Sequence, residues 1–551
     1  MISELITNYL IIILLNFLFL ITTYSIGLAS NNLLSTNLNK KNHILWLGII
    51  TLSVVLMTLH FIFSISYYLN LLILVSSIIH LIHLKKFKIT SLNAIYKSNI
   101  VTIIFYFSCL IILTKASLLY DTGLYHIQTI KWFNEYSLIP GLANLNDRFG
   151  FNIISYYLSN YLIYPYTENL SFISVSLFVY TLTFFSIINL KFDNFDKSQW
   201  LKIILLIGLA FKRYLVPSAS PDLIVFCLEL IIISTLIDYI YSQNKRDDNL
   251  IFILLALCFV FYFKISTIIF SLLFIFVLIY FYRDKFLEII NYKIVLFILV
   301  PFIIWIIRGY ILSGMPFYPN STFIIDNFIF SVEKEHADTL VKNIYNWSVN
   351  SSIKSEVKIS FLGNLIYWFK NVPDYHKLYL LIISILLILI FLKFEKKVFT
   401  HNLIIIMIVL LLNIFFVLIN LPQVRFLESS LIGLILLLII LFYQTYRNFA
   451  LINNIIINKI LMLSSVLFFI FVVFFKGEFN NTFSVHWNSS KVLNTQNYKI
   501  LENNKNFKVF MPISGDQCWN SQLPCTFDLK QNLTQKKIRL LNKDFFYFTI
   551  K

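Results

Sequence analysis

Uninterrupted apolar blocks constrain the fold of this chain more than any other feature of its sequence. Residues 10–26, 223–241 and 403–419 are examples. Each is long enough to cross roughly 30 Å of hydrocarbon as a helix. The chain is 58% hydrophobic and 13% charged, whereas a soluble domain carries about 25% charged residues. These features exclude a soluble fold and predict an all-α polytopic membrane protein.

The apolar blocks predict about fourteen transmembrane helices, with a range of about 12 to 14. The candidate spans are 5–26, 45–62, 66–84, 99–117, 171–190, 201–215, 222–242, 249–263, 265–282, 290–308, 378–393, 401–420, 431–446 and 458–475. A further apolar segment, 151–164, would reverse the orientation of every later connection if it crossed the membrane. We therefore predict that it lies on the outer interface.

Short basic clusters occur in alternate connections between the spans, and by the positive-inside rule these connections face the cytoplasm. The other side then receives both termini and the polar segments 118–170, 309–377 and 476–551. This pattern predicts a multi-pass protein of the inner (plasma) membrane with both termini extracytoplasmic. The same topology explains the formal charge of +17, so we expect no nucleic-acid partner.

The polar segments divide the chain into three parts. Residues 1–98 form N-terminal transmembrane helices, 99–475 form a transmembrane core with outer loops 118–170 and 309–377, and 476–551 form a small extracytoplasmic tail. Within the tail, residues 507–513 have the pattern of a strand, and we predict a mixed α/β element. The close pair Cys518 and Cys525 suggests a disulfide, since an oxidising exterior allows one to persist.

Two carboxylates are the main candidates for chemistry. Asp121 directly follows a predicted span, and Asp222 begins another in a Ser-Pro-Asp sequence on the same predicted side. Ionisable groups at the membrane are functional candidates by default because burying them is costly. Each also has a structural interpretation, as a helix cap beside an aromatic cluster or as a first-turn residue. If they converge, they could share an acceptor or a divalent cation.

Basic residues near the predicted outer ends of spans run against the positive-inside trend. They are Lys212, Arg213, Lys264, Arg308 and Arg425. Lipid headgroups could satisfy each of them separately. Together they predict an outer-leaflet pocket for phosphate or pyrophosphate, because Arg and Lys side chains donate to phosphate oxygens. His126 is a further candidate for substrate binding, either as a metal ligand or as a structural hydrogen-bonding residue.

Four separated segments resemble a family of uncharacterised bacterial polytopic membrane proteins to which no reaction is assigned. They are YDTGLYHIQTIKWFNEYSLIPGLANLNDRFGFN (120–152), SPDLIVF (220–226), RGYILSGMPFYP (308–319) and GDQCWNSQLPC (515–525).

The chain is also distantly similar to GT-C glycosyltransferases, which include protein O-mannosyltransferases, lipid A aminoarabinose transferases and bacterial oligosaccharyltransferases. Those enzymes have an acidic residue in their first large outer loop and often another in the next. Asp121 and Asp222 correspond to these residues if span 99–117 is the first of the module.

The GT-C resemblance implies a transferase that uses a polyprenyl-phosphate-linked sugar in the outer leaflet. Asp121 would act as general base or orient the acceptor, and Asp222 would assist through a metal or a hydrogen bond. The leaving lipid phosphate would be held by Arg308, Arg425 and Lys264. Three alternatives remain: a polysaccharide polymerase or ligase, a transporter or flippase of lipid-linked glycans, and a non-catalytic assembly protein. A transporter predicts functional charges near the bilayer midplane.

Overall fold

The computed structural model describes most of the chain and is mostly helical. The described residues are 2–84, 106–110, 118–165, 167, 170–188, 197–241, 247–349, 363, 366, 368–370, 374–392, 401–420, 422–445, 498–503, 507–528, 533–540 and 543–550. The predicted span 458–475 lies outside this part, and 99–117 is described only at 106–110.

The helices occupy the predicted apolar blocks and two of the polar segments. In chain order they are α1 (Ile2–Leu34), α2 (Lys41–Leu59), α3 (Tyr67–His83), α4 (Ile127–Glu135), α5 (Leu142–Leu145), α6 (Ser155–Tyr161), α7 (Ser171–Ile187), α8 (Lys197–Phe211), α9 (Pro221–Tyr241), α10 (Asp247–Phe263), α11 (Ile268–Ile289), α12 (Tyr292–Ser313), α13 (Lys334–Val349), α14 (Asp374–Leu392), α15 (His401–Asn420) and α16 (Glu428–Thr445).

Within the described part, six helical segments are long and apolar enough to cross a membrane. They are Ile6–Leu34, Lys41–Leu59, Pro221–Ile240, Ile265–Ile289, Tyr292–Ser313 and Leu403–Asn420. This number is smaller than the predicted count of about fourteen. One reason is length, since α3, α7 and α10 each have 17 residues. The protein is therefore mostly helical, and several of its helices could span a membrane.

Helices α1 and α2 pack with their backbones in direct contact, because each contributes a glycine to the crossing. A Cβ atom on Gly27 would lie 2.0 Å from the carbonyl oxygen of Ile44. On Gly48, a Cβ atom would lie 1.8 Å from the carbonyl oxygen of Thr23. Small residues permit such close approach between membrane helices, where packing drives association.

Three polar segments meet at one end of the helices, which we call the loop end. The Gly141 amide donates to the Ile311 carbonyl at 2.9 Å. The Phe548 amide donates to the Pro140 carbonyl at 3.2 Å, joining the C-terminal strands to the same loop. The loop after residue 118, the C-terminal end of α12 and the tail therefore lie together.

Charged residues at the opposite end of the helices pair with one another. Asp238 on α9 contacts Lys40 at 3.1 Å and Lys202 at 2.6 Å. The Asn39 amide donates to Asp248 at 3.4 Å. These contacts tie the start of α2 to α8, α9 and α10.

The segment 151–164 contains only the seven-residue helix α6, which is too short to cross a bilayer. Its position at the outer interface stays a prediction. Within the protein the segment is closely packed, since Tyr156, Tyr157 and Tyr161 are buried. Hydrogen bonds hold it there. The Asn160 side-chain amide donates to the Ile130 carbonyl at 2.8 Å.

In the described part of the tail the regular secondary structure is all strand, which differs from the mixed α/β element predicted. Strands β1 (Tyr498–Asn503) and β2 (Phe507–Pro512) form one antiparallel hairpin, and β3 (Thr534–Leu540) and β4 (Lys543–Thr549) form a second. The strand predicted at 507–513 is confirmed by β2. A disulfide joins Cys518 and Cys525 between the two hairpins. The all-α description therefore applies to the part of the chain before the tail.

Candidate functional site

Asp121 lies at the start of an irregular helical segment at the loop end. Residues Thr122–His126 form a buried π-helical turn that continues directly into α4. Single π-helical turns beside α-helices are frequent at functional sites. Just before this turn, the Leu119 amide donates to the Ser218 hydroxyl at 2.8 Å. The loop carrying Asp121 is thereby tied to the connection that precedes Asp222.

Four charged residues from four separate segments form one network. The Arg425 Nη1 atom lies 3.5 Å from Asp121 Oδ2 and 3.2 Å from Asp222 Oδ2. The Lys264 ammonium contacts the other oxygen of Asp222. Asp222 is in the first turn of α9, Lys264 lies between α10 and α11, and Arg425 precedes α16. We call this arrangement the four-charge network.

The members of the four-charge network differ in accessibility, which separates their roles. The Asp121 side chain is 21% exposed and that of Arg425 is 32% exposed. Asp222 is only 5% exposed and Lys264 is 17% exposed. Asp121 and Arg425 are therefore the most accessible members, Lys264 is partly accessible, and Asp222 is almost fully buried. Asp222 pairs with both cations, Lys264 and Arg425, from its buried position.

The environment shifts the pKa values of the cations in opposite directions. Burial lowers the pKa of Lys264 to about 8, although Asp222 opposes this effect. For Arg425, burial disfavours the charge, but Asp222 and Asp121 outweigh it and raise the pKa of the guanidinium. Both side chains are cationic at neutral pH. The site can therefore offer fixed hydrogen-bond donors to an anion beside an accessible carboxylate.

His126 is buried beneath the four-charge network. Neither of its ring nitrogens has a hydrogen-bond partner within the described residues. Burial lowers its pKa to about 4, with Asp121 and Asp222 opposing the effect, so the ring is neutral at pH 7. It packs against Tyr125 and Tyr156, at centroid distances of 4.4 and 5.5 Å.

The donor set does not fit a divalent cation. In the described part of the chain, no group of three His, Cys, Asp or Glu side chains could hold a metal ion. The guanidinium of Arg425 contacts both Asp121 and Asp222, which is the bridging role that a metal shared by these carboxylates would have. We therefore derive no step through a metal.

The structure does not place the other predicted cations in the four-charge network. Lys212 pairs with Glu428, and both side chains are almost completely buried. Arg213 is half-buried in the turn after α8. Arg308 on α12 is buried in a separate cluster, where its Nε atom donates to the Tyr157 hydroxyl at 2.9 Å and it contacts the Asn152 side chain. Arg308 therefore lies apart from the accessible carboxylate.

A family described as a domain of unknown function, DUF8201, matches residues 10–432 of the chain. The chain belongs to this family. No curated protein matches the chain, and no solved structure does. The DUF8201 region includes all four members of the four-charge network and ends before the tail.

Sequence reasoning missed two carboxylates of the DUF8201 region. Glu428 pairs with Lys212 at the start of α16. Glu229 is two turns after Asp222 on α9 and is buried. It lines a small cavity together with Asp222, Lys264 and Arg425. Each of them is a single acidic residue in an apolar stretch, Glu229 in FCLELII and Glu428 in RFLESSLIG. An acidic residue in such a position is a functional candidate, so this signal could have found them.

Proposed function

We propose that this protein is a membrane glycosyltransferase of the GT-C type. It transfers a sugar from a polyprenyl-phosphate-linked donor to a cell-envelope acceptor at the outer face of the membrane. The observation that carries the proposal is the contact of Arg425 with both Asp121 and Asp222. This contact places an accessible base, Asp121, beside two cations suited to binding a phosphate, Arg425 and Lys264, at the loop end of the helices.

In this mechanism Asp121 acts on the acceptor. Its carboxylate accepts the proton of the acceptor hydroxyl while the hydroxyl oxygen forms a bond to the anomeric carbon of the donor. The bond between that carbon and the phosphate oxygen breaks, and its electron pair leaves with the lipid phosphate. Arg425 and Lys264 stabilise the negative charge that develops on the phosphate. Asp222 holds both cations in position.

The proposal includes the topology inferred from the sequence, with about fourteen spans and both termini outside an inner (plasma) membrane. Two observations support this orientation. The loop end carries the four-charge network and the disulfide, and Lys40 and Lys202 lie at the opposite end, as the positive-inside rule requires. Arg308 is buried against Asn152 and Tyr157, so we assign it to support of the loop and assign the phosphate contacts to Arg425 and Lys264.

A transporter or flippase of lipid-linked glycans is the second candidate, and Glu229 is the observation that favours it. This carboxylate is buried within a helix able to span the membrane. It lies about 10 Å further along the helix axis than Asp222. Carboxylates at such depth mark ion and proton pathways in transporters.

Deletion of the gene distinguishes the two candidates. If the protein is a transferase, an envelope sugar modification disappears after deletion. Its lipid-linked donor then accumulates on the outer face of the membrane, where periodate oxidises it in intact spheroplasts. A flippase predicts accumulation of a donor that periodate reaches only in inverted vesicles. Wild-type protein restores the modification in both cases. An unchanged profile of envelope glycans and lipid-linked sugars after deletion would contradict both candidates.

Binding of the lipid phosphate is expected to weaken in alkaline solution. Lys264 is protonated below its pKa of about 8 and loses its charge as the pH rises through that value. We expect the affinity for a short-chain polyprenyl phosphate in micelles to fall about tenfold between about pH 7 and pH 9, since one charged hydrogen bond is lost. Titration calorimetry measures this effect.

The matched control is Lys264→Arg, because arginine keeps its charge over this range. Its affinity is expected to stay constant from about pH 7 to pH 9. A wild-type affinity that does not change over the same range would show that Lys264 does not contact the phosphate.

A further inference from the structure

The tail reaches back to the segment that carries Asp121. The disulfide between Cys518 and Cys525 closes residues 518–525 into a ring. We call residues 515–525, which include this ring and the three residues before it, the disulfide loop. Within it, the Trp519 amide donates to the Gly123 carbonyl at 2.9 Å. The indole ring covers Gly123 so closely that a Cβ atom there would lie 2.4 Å from Trp519 Cε2. A glycine is therefore required at this contact.

The disulfide loop also contacts the chain immediately before Asp121. The Gln517 side-chain amide donates to the Tyr120 carbonyl at 2.8 Å. The Tyr120 hydroxyl contacts the carboxylate of Asp516. Two residues of the tail thus hold the residue directly preceding Asp121, one at its backbone and one at its side chain.

Further contacts hold the chain after Asp121. The Gln128 side-chain amide donates to the Trp519 carbonyl at 2.8 Å and to the Ser521 carbonyl at 3.1 Å. The Lys131 ammonium donates to the same Ser521 carbonyl at 3.0 Å. The disulfide loop therefore holds the segment on both sides of the carboxylate.

The disulfide loop is itself attached to the first hairpin of the tail. The Phe510 amide donates to the Pro524 carbonyl at 2.9 Å, and the Thr526 amide donates to the Phe510 carbonyl at 3.1 Å. The Tyr498 hydroxyl donates to the Cys518 carbonyl at 2.9 Å. Strands β1 and β2 thereby support the disulfide loop.

We propose that the disulfide loop is a positioning element for Asp121, with Trp519 as its central positioning residue. Asp121 precedes a π-helical turn, and its ion pair with Arg425 is 3.5 Å long, so the direction of its carboxylate depends on the backbone that the loop holds. A general base must lie within hydrogen-bond reach of the proton it accepts. A misplacement of about 1 Å can lower a rate about 100-fold. This inference has a structural part, that the disulfide loop holds residues 120–131 in place, and a catalytic part, that this contact orients Asp121 for sugar transfer. Only the catalytic part rests on the proposed function.

Hydrogen–deuterium exchange of the purified, full-length protein in detergent tests the structural part. In a Cys518→Ser/Cys525→Ser variant, amides of 120–131 are expected to exchange at least about tenfold faster, because local opening becomes easier. Amides of α2 are expected to keep their wild-type rates, which shows that the fold is intact. Cys258→Ser, which removes a cysteine outside the disulfide, is the matched control. Unchanged exchange at 120–131 in the double variant would overturn the proposal.

The rate of sugar transfer tests the catalytic part. Trp519→Ala is expected to lower kcat about 10- to 100-fold and to change KM for the donor less than about threefold, because a displaced base affects the transition state and not donor binding. Trp519→Phe, which keeps a ring over Gly123, is expected to recover most of the rate. Gly123→Ala is expected to reproduce the loss, since its Cβ would displace the indole.

The exposed tail residue Ile513 provides the control Ile513→Ala, for which no change in rate is expected. Equal losses of kcat in Trp519→Phe and Trp519→Ala, or a loss confined to KM, would overturn the catalytic part. If wild-type protein transfers no sugar while exchange at 120–131 responds as expected, the proposed function fails and the structural part stands.

Discussion

An Asp121→Asn variant is expected to lose sugar transfer by about 10²- to 10⁴-fold, the usual contribution of a positioned general base. The amide keeps the size of the carboxylate but cannot accept the proton of the acceptor. Asp121 is the accessible carboxylate of the four-charge network, whereas Asp222 is buried beneath two cations. The measurement is the initial rate of transfer by purified protein, with polyprenyl-phosphate-linked donor and envelope acceptor.

The matched control is Asp147→Asn in the same loop. The Asp147 side chain is 25% exposed, close to the value for Asp121, but it contacts His336 at 2.7 Å. The transfer rate of Asp147→Asn is expected to remain within about twofold of the wild-type rate, because this substitution lies outside the site. Equal rates for wild type and Asp121→Asn, at equal amounts of folded protein, would show that Asp121 is structural.

A Lys212→Met variant is expected to lower the free energy of unfolding by about 3 to 5 kcal/mol. The side chains of Lys212 and Glu428 are 0% and 1% exposed, so the substitution leaves a buried carboxylate without its cation. Removing one partner of a buried ion pair typically costs this much, because the remaining charge is not compensated. Reversible unfolding in mixed detergent micelles measures the difference.

The double variant Lys212→Met/Glu428→Leu separates the cost of the lone charge from the value of the pair. Replacing both partners by apolar residues is often close to neutral, so we expect most of the stability to return. Lys285→Met is the control for an exposed pair: Lys285 lies 3.6 Å from Asp247, and its loss is expected to cost less than about 1 kcal/mol. A double variant as unstable as the single one would contradict the assignment of Lys212 and Glu428 as a compensated pair.

The positions of the apolar helices in the described part of the chain followed from the sequence, because one local property, an apolar run of sufficient length, decides them. The short helices α4, α5 and α6 and the polar helix α13 were not predicted. The same reasoning selected Asp121, Asp222, Lys264 and Arg425 one by one, since each is a charge at the end of such a run. Their convergence could not be inferred, because contacts between residues so far apart in the chain depend on how the helices pack. Arg308 shows this limit. It gave the same signal as Arg425 but packs against Tyr157 and Asn152.

Other features were missed because the local pattern was ambiguous. The apolar pattern of residues 151–164 did not show that the tyrosines of α6 are buried within the protein. Glu229 was visible as an acid inside an apolar run, but nothing in its neighbourhood distinguished it before Asp222 and Lys264 were seen to line the same cavity. The contact of Trp519 with Gly123 joins the tail to the first polar loop, and no local sequence rule predicts such a pairing.

The contact between the disulfide loop and the Asp121 segment also has a consequence for biosynthesis. The ribosome makes Gln128 391 residues before its partner Trp519. At roughly 5 to 20 residues per second, this separation corresponds to a delay of about 20 to 80 seconds. During that time the nascent chain exposes the Gln128 amide and the uncovered Gly123 backbone. The contact with Trp519 therefore forms only after the tail has been translated, and a chaperone that recognises unpaired backbone would have its main opportunity in the preceding interval.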